Sequence, residues 1–187
     1  MQILRSAYYR RMPWKNGKGE TVEIAVFPPG ASVDSFDWRI STATVTEDGP
    51  FSHFAGIDRT LSILTGQGMM LSVEGRDNIL LQQSSDPYVF PGDVDTTAVL
   101  TGGAITDLNV MTRRGRFVHH VTRLVVKGSL GIAPRAEMTI AIVTATARLG
   151  NQFLGAMDAA VLNPAEGPAT LYVEKETVVF LVEIMPA

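Results

Sequence analysis

What most constrains this chain is its alternation. Apolar and polar residues change places at every second position, and each such segment is cut short by proline, glycine or aspartate before a helical period can develop. Residues 3–9, 21–27 and 36–45 read as strands on this ground. In Phe36-Asp37-Trp38-Arg39-Ile40-Ser41 a two-residue period puts Phe36, Trp38 and Ile40 on a core face and Asp37, Arg39 and Ser41 on a polar one. A turn at Glu47-Asp48-Gly49-Pro50, a short apolar piece at 51–54 and the stretch Gly56-Ile57-Asp58-Arg59 lead into a strand at 60–65, which Gly66-Gln67-Gly68 closes. Further strands are expected at 69–74, 87–90, 96–101, 105–112 and 116–126, with Pro91-Gly92-Asp93 as the turn between two of them.

The second half is less regular. Residues 137–146 are rich in alanine yet alternate β-branched side chains, and so read as strand. Residues 152–162 have the composition of a short helix, whereas 170–174 and 177–184 read as strands joined by a hairpin turn at Glu174-Lys175-Glu176. Thr60-Leu61-Ser62-Ile63-Leu64-Thr65 resembles Thr139-Ile140-Ala141-Ile142-Val143-Thr144, and the stretch from Asp93 to Leu100 loosely echoes that from Asp158 to Leu162. These echoes suggest two similar β halves. The fold class is therefore all-β.

The chain's 187 residues can bury a substantial core, and 45% hydrophobic with 19% charged residues is a globular balance. A net charge of −3 offers no field for nucleic acid or an anionic membrane. No stretch approaches a membrane span and residues 1–11 lack an apolar signal core, so a cytoplasmic location is expected. The absence of cysteine removes a thiol nucleophile and thiolate metal ligands.

The densest candidate site is Pro13-Trp14-Lys15-Asn16-Gly17-Lys18-Gly19-Glu20. Gly17 and Gly19 can take positive φ and expose N–H groups, Lys15 supplies a cation, Asn16 a donor and an acceptor, and Trp14 a wall. The plain alternative is a surface turn. Arg39, Arg59, Asp107 and Asn109 alternate with apolar neighbours and could line a barrel lumen; in the alternative, Arg59 merely pairs with Asp58 or Asp107. Arg113, Arg114 and Arg116 read as a solvated turn.

Of the three histidines, His53 stands alone and the adjacent His119 and His120 point to opposite faces of a strand, so no metal or other cofactor is expected. No nucleophile motif or phosphate loop is present, which leaves a small-molecule binder, a metal-independent enzyme using Asp107 or Glu20 as base, and an interaction protein.

The glycine-bounded strand 59–66, the Pro-Gly-Asp turn and the strand containing Asn109 are similar to the two characteristic stretches of a cupin barrel. Taken with Pro13-Trp14-Lys15-Asn16-Gly17, the 36–41 strand, Gly49-Pro50-Phe51-Ser52, Gly56-Ile57-Asp58-Arg59, Phe90-Pro91-Gly92-Asp93 and Asp107-Leu108-Asn109-Val110-Met111, the chain resembles the HutD/Ves family, departing from its commonest form at Lys18. The resemblance implies a bicupin, two packed cupin-like β-barrels in a single unit of residues 1–187, with halves near 1–115 and 116–187 that exchange strands. It implies association with histidine utilisation as a non-catalytic regulator, or with stress response in the Ves branch. The expected ligand is a small carboxylate such as urocanate or formylglutamate, held by Arg59 with Lys15, Asn16, Arg39, Asn109, Asp107 and Trp14 around it. Pairing of two copies through exposed strands is expected, as cupin barrels commonly do.

Overall fold

The computed structural model describes residues 1–14, 17 and 19–187. The chain opens with β1 (Gln2–Leu4) and one 3-10 turn at Ser6–Tyr8. It continues through β2 (Arg10–Pro13), β3 (Gly19–Phe27), β4 (Trp38–Val45), β5 (Gly49–Pro50), β6 (Ile57–Thr65), β7 (Met69–Val73), β8 (Ile79–Leu81), β9 (Tyr88–Pro91), β10 (Thr96–Leu100) and β11 (Ile105–Arg113). The last strands are β12 (Phe117–Ile132), β13 (Met138–Val143), β14 (Ala147–Leu149), β15 (Gln152–Leu154), β16 (Ala159–Leu162) and β17 (Ala169–Pro186). Residues 10–117 form one compact unit, and residues 1–9 with 118–187 form another.

In the unit of residues 10–117, a six-stranded sheet ordered β2-β3-β4-β11-β6-β9 faces a four-stranded sheet ordered β5-β10-β7-β8. Between them lies a cluster in which Leu61, Ile63, Phe90 and Ile105 of the larger sheet meet Met69, Leu71 and Ala98 of the smaller. The larger sheet is buried on both sides: Ile40, Leu108 and Val110 are buried on one face, and Arg39, Arg59, Asp107 and Asn109 on the other. The polar face expected from the sequence is thus an interior face. Phe36 also departs from expectation, because it precedes β4 and packs with Ile57 and Met111 rather than continuing the Trp38–Ile40 face.

The other unit has one sheet ordered β1-β16-β13-β17-β14-β15, with β12 also pairing β17. Asp158 anchors the N-terminal segment here, accepting bonds from the Ser6 N–H at 2.7 Å and from Arg5 Nη1 at 2.8 Å. Two sequence expectations fail in this unit. Residues 152–162 form β15 and β16 rather than a helix, since Ala159 and Ala160 are fully buried against β13 and tertiary packing overrides their helical propensity. The stretch 169–186 is one strand, not a hairpin: Leu171, Val173, Thr177 and Val179 keep the buried phase through Glu174-Lys175-Glu176, which lack a residue suited to the positive φ of a tight hairpin. The first strand is likewise shorter than expected, ending at Leu4. The echo of 60–65 in 139–144 falls on β6 and β13, each paired with a short strand and a long one. That of 93–100 in 158–162 does not hold, because β10 pairs β5 and β7 while β16 pairs β1 and β13.

The turn between β6 and β7 depends on Gly68. Its φ is +114° and an added Cβ would lie 2.2 Å from the Leu81 carbonyl oxygen. Gly75 also has positive φ, +75°, but faces open space. Gly68→Ala should therefore lower unfolding free energy by about 2 to 4 kcal/mol, and Gly75→Ala by about 1 kcal/mol. Urea denaturation of the two variants checks this, and equal losses would contradict the close-approach explanation.

Candidate functional site

Register brings the polar residues of the larger sheet into three adjacent rows. Arg39 of β4 stands opposite Met111 of β11, which stands opposite Arg59 of β6, itself opposite Phe90 of β9. The next row is Glu23, Ser41, Asn109 and Leu61, and the third is Thr21, Ala43, Asp107 and Ile63. A bulge in β3 between Glu23 and Ala25 shifts that strand's phase, so that Glu23 reaches Arg39 Nε at 2.8 Å while Val26, further along, packs against Met111. A cavity of about 520 Å³ opens over these rows. Its wall includes Arg39, Ser41, Arg59, Asp107, Asn109 and Met111, and Trp14 and the 47–52 segment line it too. That volume falls in the range of small-molecule sites.

Arg59 is 4% exposed, and its guanidinium carbon lies 4.9, 5.3 and 5.5 Å from the ring centroids of Phe51, Phe90 and Phe54. Nη2 donates to Asn109 Oδ1 at 2.6 Å and Nη1 makes a long contact of 3.4 Å to the Ser52 carbonyl oxygen. Nε is buried with no partner. Asn109 Nδ2 donates onward to Asp107 Oδ1 at 2.5 Å, and Asp107 Oδ2 is also buried without a partner. Burying a guanidinium costs several kcal/mol of hydration. Three ring faces return about 1 to 2 kcal/mol each, but an unmet donor costs a further 1 to 3 kcal/mol or so. Burial accordingly pulls the Arg59 pKa down to about 10, although Asp107 opposes the shift. Burial pushes the Asp107 carboxyl up to about 7 against the nearby Arg59 charge.

The structure thus brings Trp14, Arg39, Arg59, Asp107 and Asn109 to one cavity; Lys15 and Asn16 lie outside the described residues. Trp14 is held by Nε1 donating to Thr21 Oγ1 at 2.8 Å. Gly17 does take positive φ, at +72°, whereas Gly19 serves by lacking a side chain: a Cβ there would lie 2.9 Å from the Trp14 ring and 2.3 Å from the Thr44 oxygen. Asp58 does not hold Arg59. It binds Arg114 at 2.7 Å on the outside, and Arg114 also reaches Asp93 at 3.0 Å. The arginine turn is accordingly pinned, with Arg113 donating to the Phe36 carbonyl at 2.8 Å and Arg116 to Asp37 at 2.6 Å. Glu20, a candidate base by sequence, pairs with Arg11 at 2.8 Å and is absent from the cavity wall. Among the described residues, no three histidine or acidic side chains converge as a metal site. The residues that sequence reasoning missed are Phe51, Phe54 and Phe90, which had seemed ordinary apolar positions, and Glu23, which only the bulge brings to Arg39.

The HutD family model matches residues 6–181. An uncharacterised 21.2 kDa protein from the hutC 3′ region of Pseudomonas putida is 42% identical over 117 residues, 63% of this chain and 60% of the relative. Protein Ves of Citrobacter koseri is 40% identical over 111 residues, 57% of this chain and 56% of its own. The chain therefore spans a little over half the length of these curated relatives. A conserved protein of unknown function from Pseudomonas aeruginosa superposes with TM-score 0.87 at 34% identity over 98% of both chains. HutD from Pseudomonas fluorescens, in a formate condition, superposes with TM-score 0.84 at 28% identity over 100% of this chain and 98% of its own. The bacterial pirin YhhW of Escherichia coli, at 8% identity and TM-score 0.72 over 100% and 98% of the two chains, shares the cupin-like fold alone.

The Asp107 shift has a definite sign. Its folded pKa, about 7, lies above the ordinary carboxyl value, so the folded state holds more protons than the unfolded state between about pH 4 and 7. Stability from this group is full below that window and lost as pH rises through it. Asp107→Asn should gain on the wild type by roughly 1.4 kcal/mol per pH unit inside the window and stay level outside it. Urea midpoints of the two proteins from pH 4 to 8 test this; a constant difference would show Asp107 ionised throughout.

Proposed function

The chain belongs to the HutD family, and from that premise we propose that it is a non-catalytic binding protein whose cavity holds a small carboxylate on Arg59. One observation carries the reading: a guanidinium enclosed by three phenylalanine rings, joined to Asn109 and left with an unpartnered Nε in a cavity wall. A carboxylate supplies two parallel acceptors that suit such a group. Arg39 is largely neutralised by Glu23, which makes Arg59 the stronger attractor. Asn109 and Asp107 orient it and Trp14 lines the same cavity; Lys15 and Asn16, next to Trp14 in the sequence, are proposed as further contacts. The relative from the hutC 3′ region favours an intermediate of histidine degradation, urocanate or formylglutamate, as ligand, and regulation of histidine utilisation in the cytoplasm as role. No helix among the described residues is long and apolar enough to cross a membrane.

A second reading rests on the Asp107 carboxyl, pushed up to about 7 and facing the same cavity. A carboxyl so placed can act as a metal-independent general base. Turnover of urocanate or N-formylglutamate, followed by proton NMR, would favour this reading, and binding without turnover the first.

Thermal shift and calorimetry with urocanate, N-formylglutamate, glutamate and formate test the binding proposal. A ligand at a hundred times its dissociation constant should add about 2.7 kcal/mol. Arg59→Ala should weaken binding by about thirtyfold to over a hundredfold, from loss of roughly 2 to 3 kcal/mol, with Arg59→Lys recovering part. Unchanged affinity in a folded Arg59→Ala protein would reject the assignment.

A further inference from the structure

Two buried polar atoms in the cavity wall lack partners, and they are linked by a single amide. Arg59 Nε is one and Asp107 Oδ2 the other, with Asn109 joining the two side chains at 2.6 and 2.5 Å. A carboxylate resting on Arg59 beside Asn109 therefore also comes up against Asp107. Two ionised carboxylates in contact away from water repel strongly, and such pairs settle by sharing one proton. Resting on the reading of this cavity as a carboxylate site, we propose that the protein takes up its anionic ligand together with one proton, which Asp107 Oδ2 holds as a donor to a ligand oxygen.

The balance is simple. One proton comes from solvent, no covalent bond to carbon forms or breaks, and the bound state contains one O–H···O⁻ hydrogen bond where two anions would otherwise meet. The charged groups facing Asp107 are few. Arg59 on β6 favours its anion but engages it through Asn109; no carboxylate lies in ion-pair contact with Arg59 among the described residues. Arg39 on β4 is occupied by Glu23 on β3. Glu47 and Asp48 also line the cavity but are exposed to solvent, and Asp48 Oδ1 accepts from the Leu100 N–H at 2.7 Å. Among the described residues, the rest of the wall carries no charge. An empty site thus has a carboxyl near its neutral form, and a filled site makes that form obligatory.

The consequence is discrimination by charge state. A ligand must present an oxygen able to accept from Asp107, so a carboxylate or formyl group fits, whereas an ammonium or a second donor placed there loses that hydrogen bond. The cavity becomes a sensor whose occupancy falls as pH rises.

Calorimetry with N-formylglutamate, whose carboxylates stay ionised from pH 6 to 8.5, tests this, with urocanate and formate as further probes. Affinity of the wild type should fall about thirtyfold between pH 6 and 8.5, as one linked proton near pH 7 requires. Titrations at pH 8 in phosphate and Tris should differ in heat by an amount that corresponds to uptake of nearly one proton. Asp107→Asn, with a permanent amide donor at that position, should lose the slope and bind more tightly than the wild type at pH 8.5. Binding that is level across pH with no proton uptake would overturn the proton coupling and leave the carboxylate site standing. A wild-type slope retained in Asp107→Asn would also overturn it, and failure of all three probes to bind at any pH would overturn both proposals.

Discussion

Burial of one guanidinium governs the organisation of residues 10–117. Arg59 sits at the start of β6, inside a cage made by Phe51 and Phe54 of the segment before β6 and Phe90 of β9. Gly92, in the Pro-Gly-Asp turn, is close enough that a Cβ would lie 3.1 Å from Arg59 Cδ, and its N–H donates to the Ile57 carbonyl at 2.6 Å. On the outside, Arg114 clamps Asp58 and Asp93, which fixes the same turn. Those exposed bridges add little energy individually but keep the 56–59 and 91–93 backbones aligned. The cage provides a low-dielectric shell in which an incoming anion gains more than it would in water.

Such a site needs a sheet with interiors on both sides. Period-two alternation delivers that only if the second face is closed off by another sheet, and the cluster of Leu61, Ile63, Met69 and Leu71 does so at one end. In the same rows, towards β4, the side chains turn polar and line the cavity together with Gly49, Pro50 and Ala98 of the smaller sheet. Two irregularities in the ladders tune it. The bulge at Ile24 swings Glu23 towards Arg39, and the register shift between Thr106 and Asp107 lies beside the buried carboxyl itself.

The sequence carried much of this pattern. Alternation identified β3, β4, β6, β7, β10 and β11, and placed Arg39, Asp107 and Asn109 opposite apolar neighbours. It allowed that face to line a lumen but did not show what covers it, because period reports which residues share a side and nothing of what lies over them. The phenylalanine cage was illegible for the same reason: its rings meet only after β6 and β9 pair and the 51–54 segment folds over them. Residues 152–162 failed differently, since the fully buried alanines favour a close approach of β16 to β13 that no local propensity reveals. Likewise, the buried phase of Leu171 and Val173 resumes at Thr177 and Val179 beyond the exposed Glu174-Lys175-Glu176, so the phase on either side was a better guide than the charge of those three residues.

The central claim is that Arg59's unmet Nε is where a ligand anion belongs. A crystal structure of the protein with N-formylglutamate addresses it most directly. The account predicts a carboxylate or formyl oxygen within about 2.7 to 3.1 Å of the Arg59 guanidinium, with Nε satisfied and the aromatic cage unmoved. Ligand density elsewhere, with Arg59 Nε still lacking an acceptor, would contradict it.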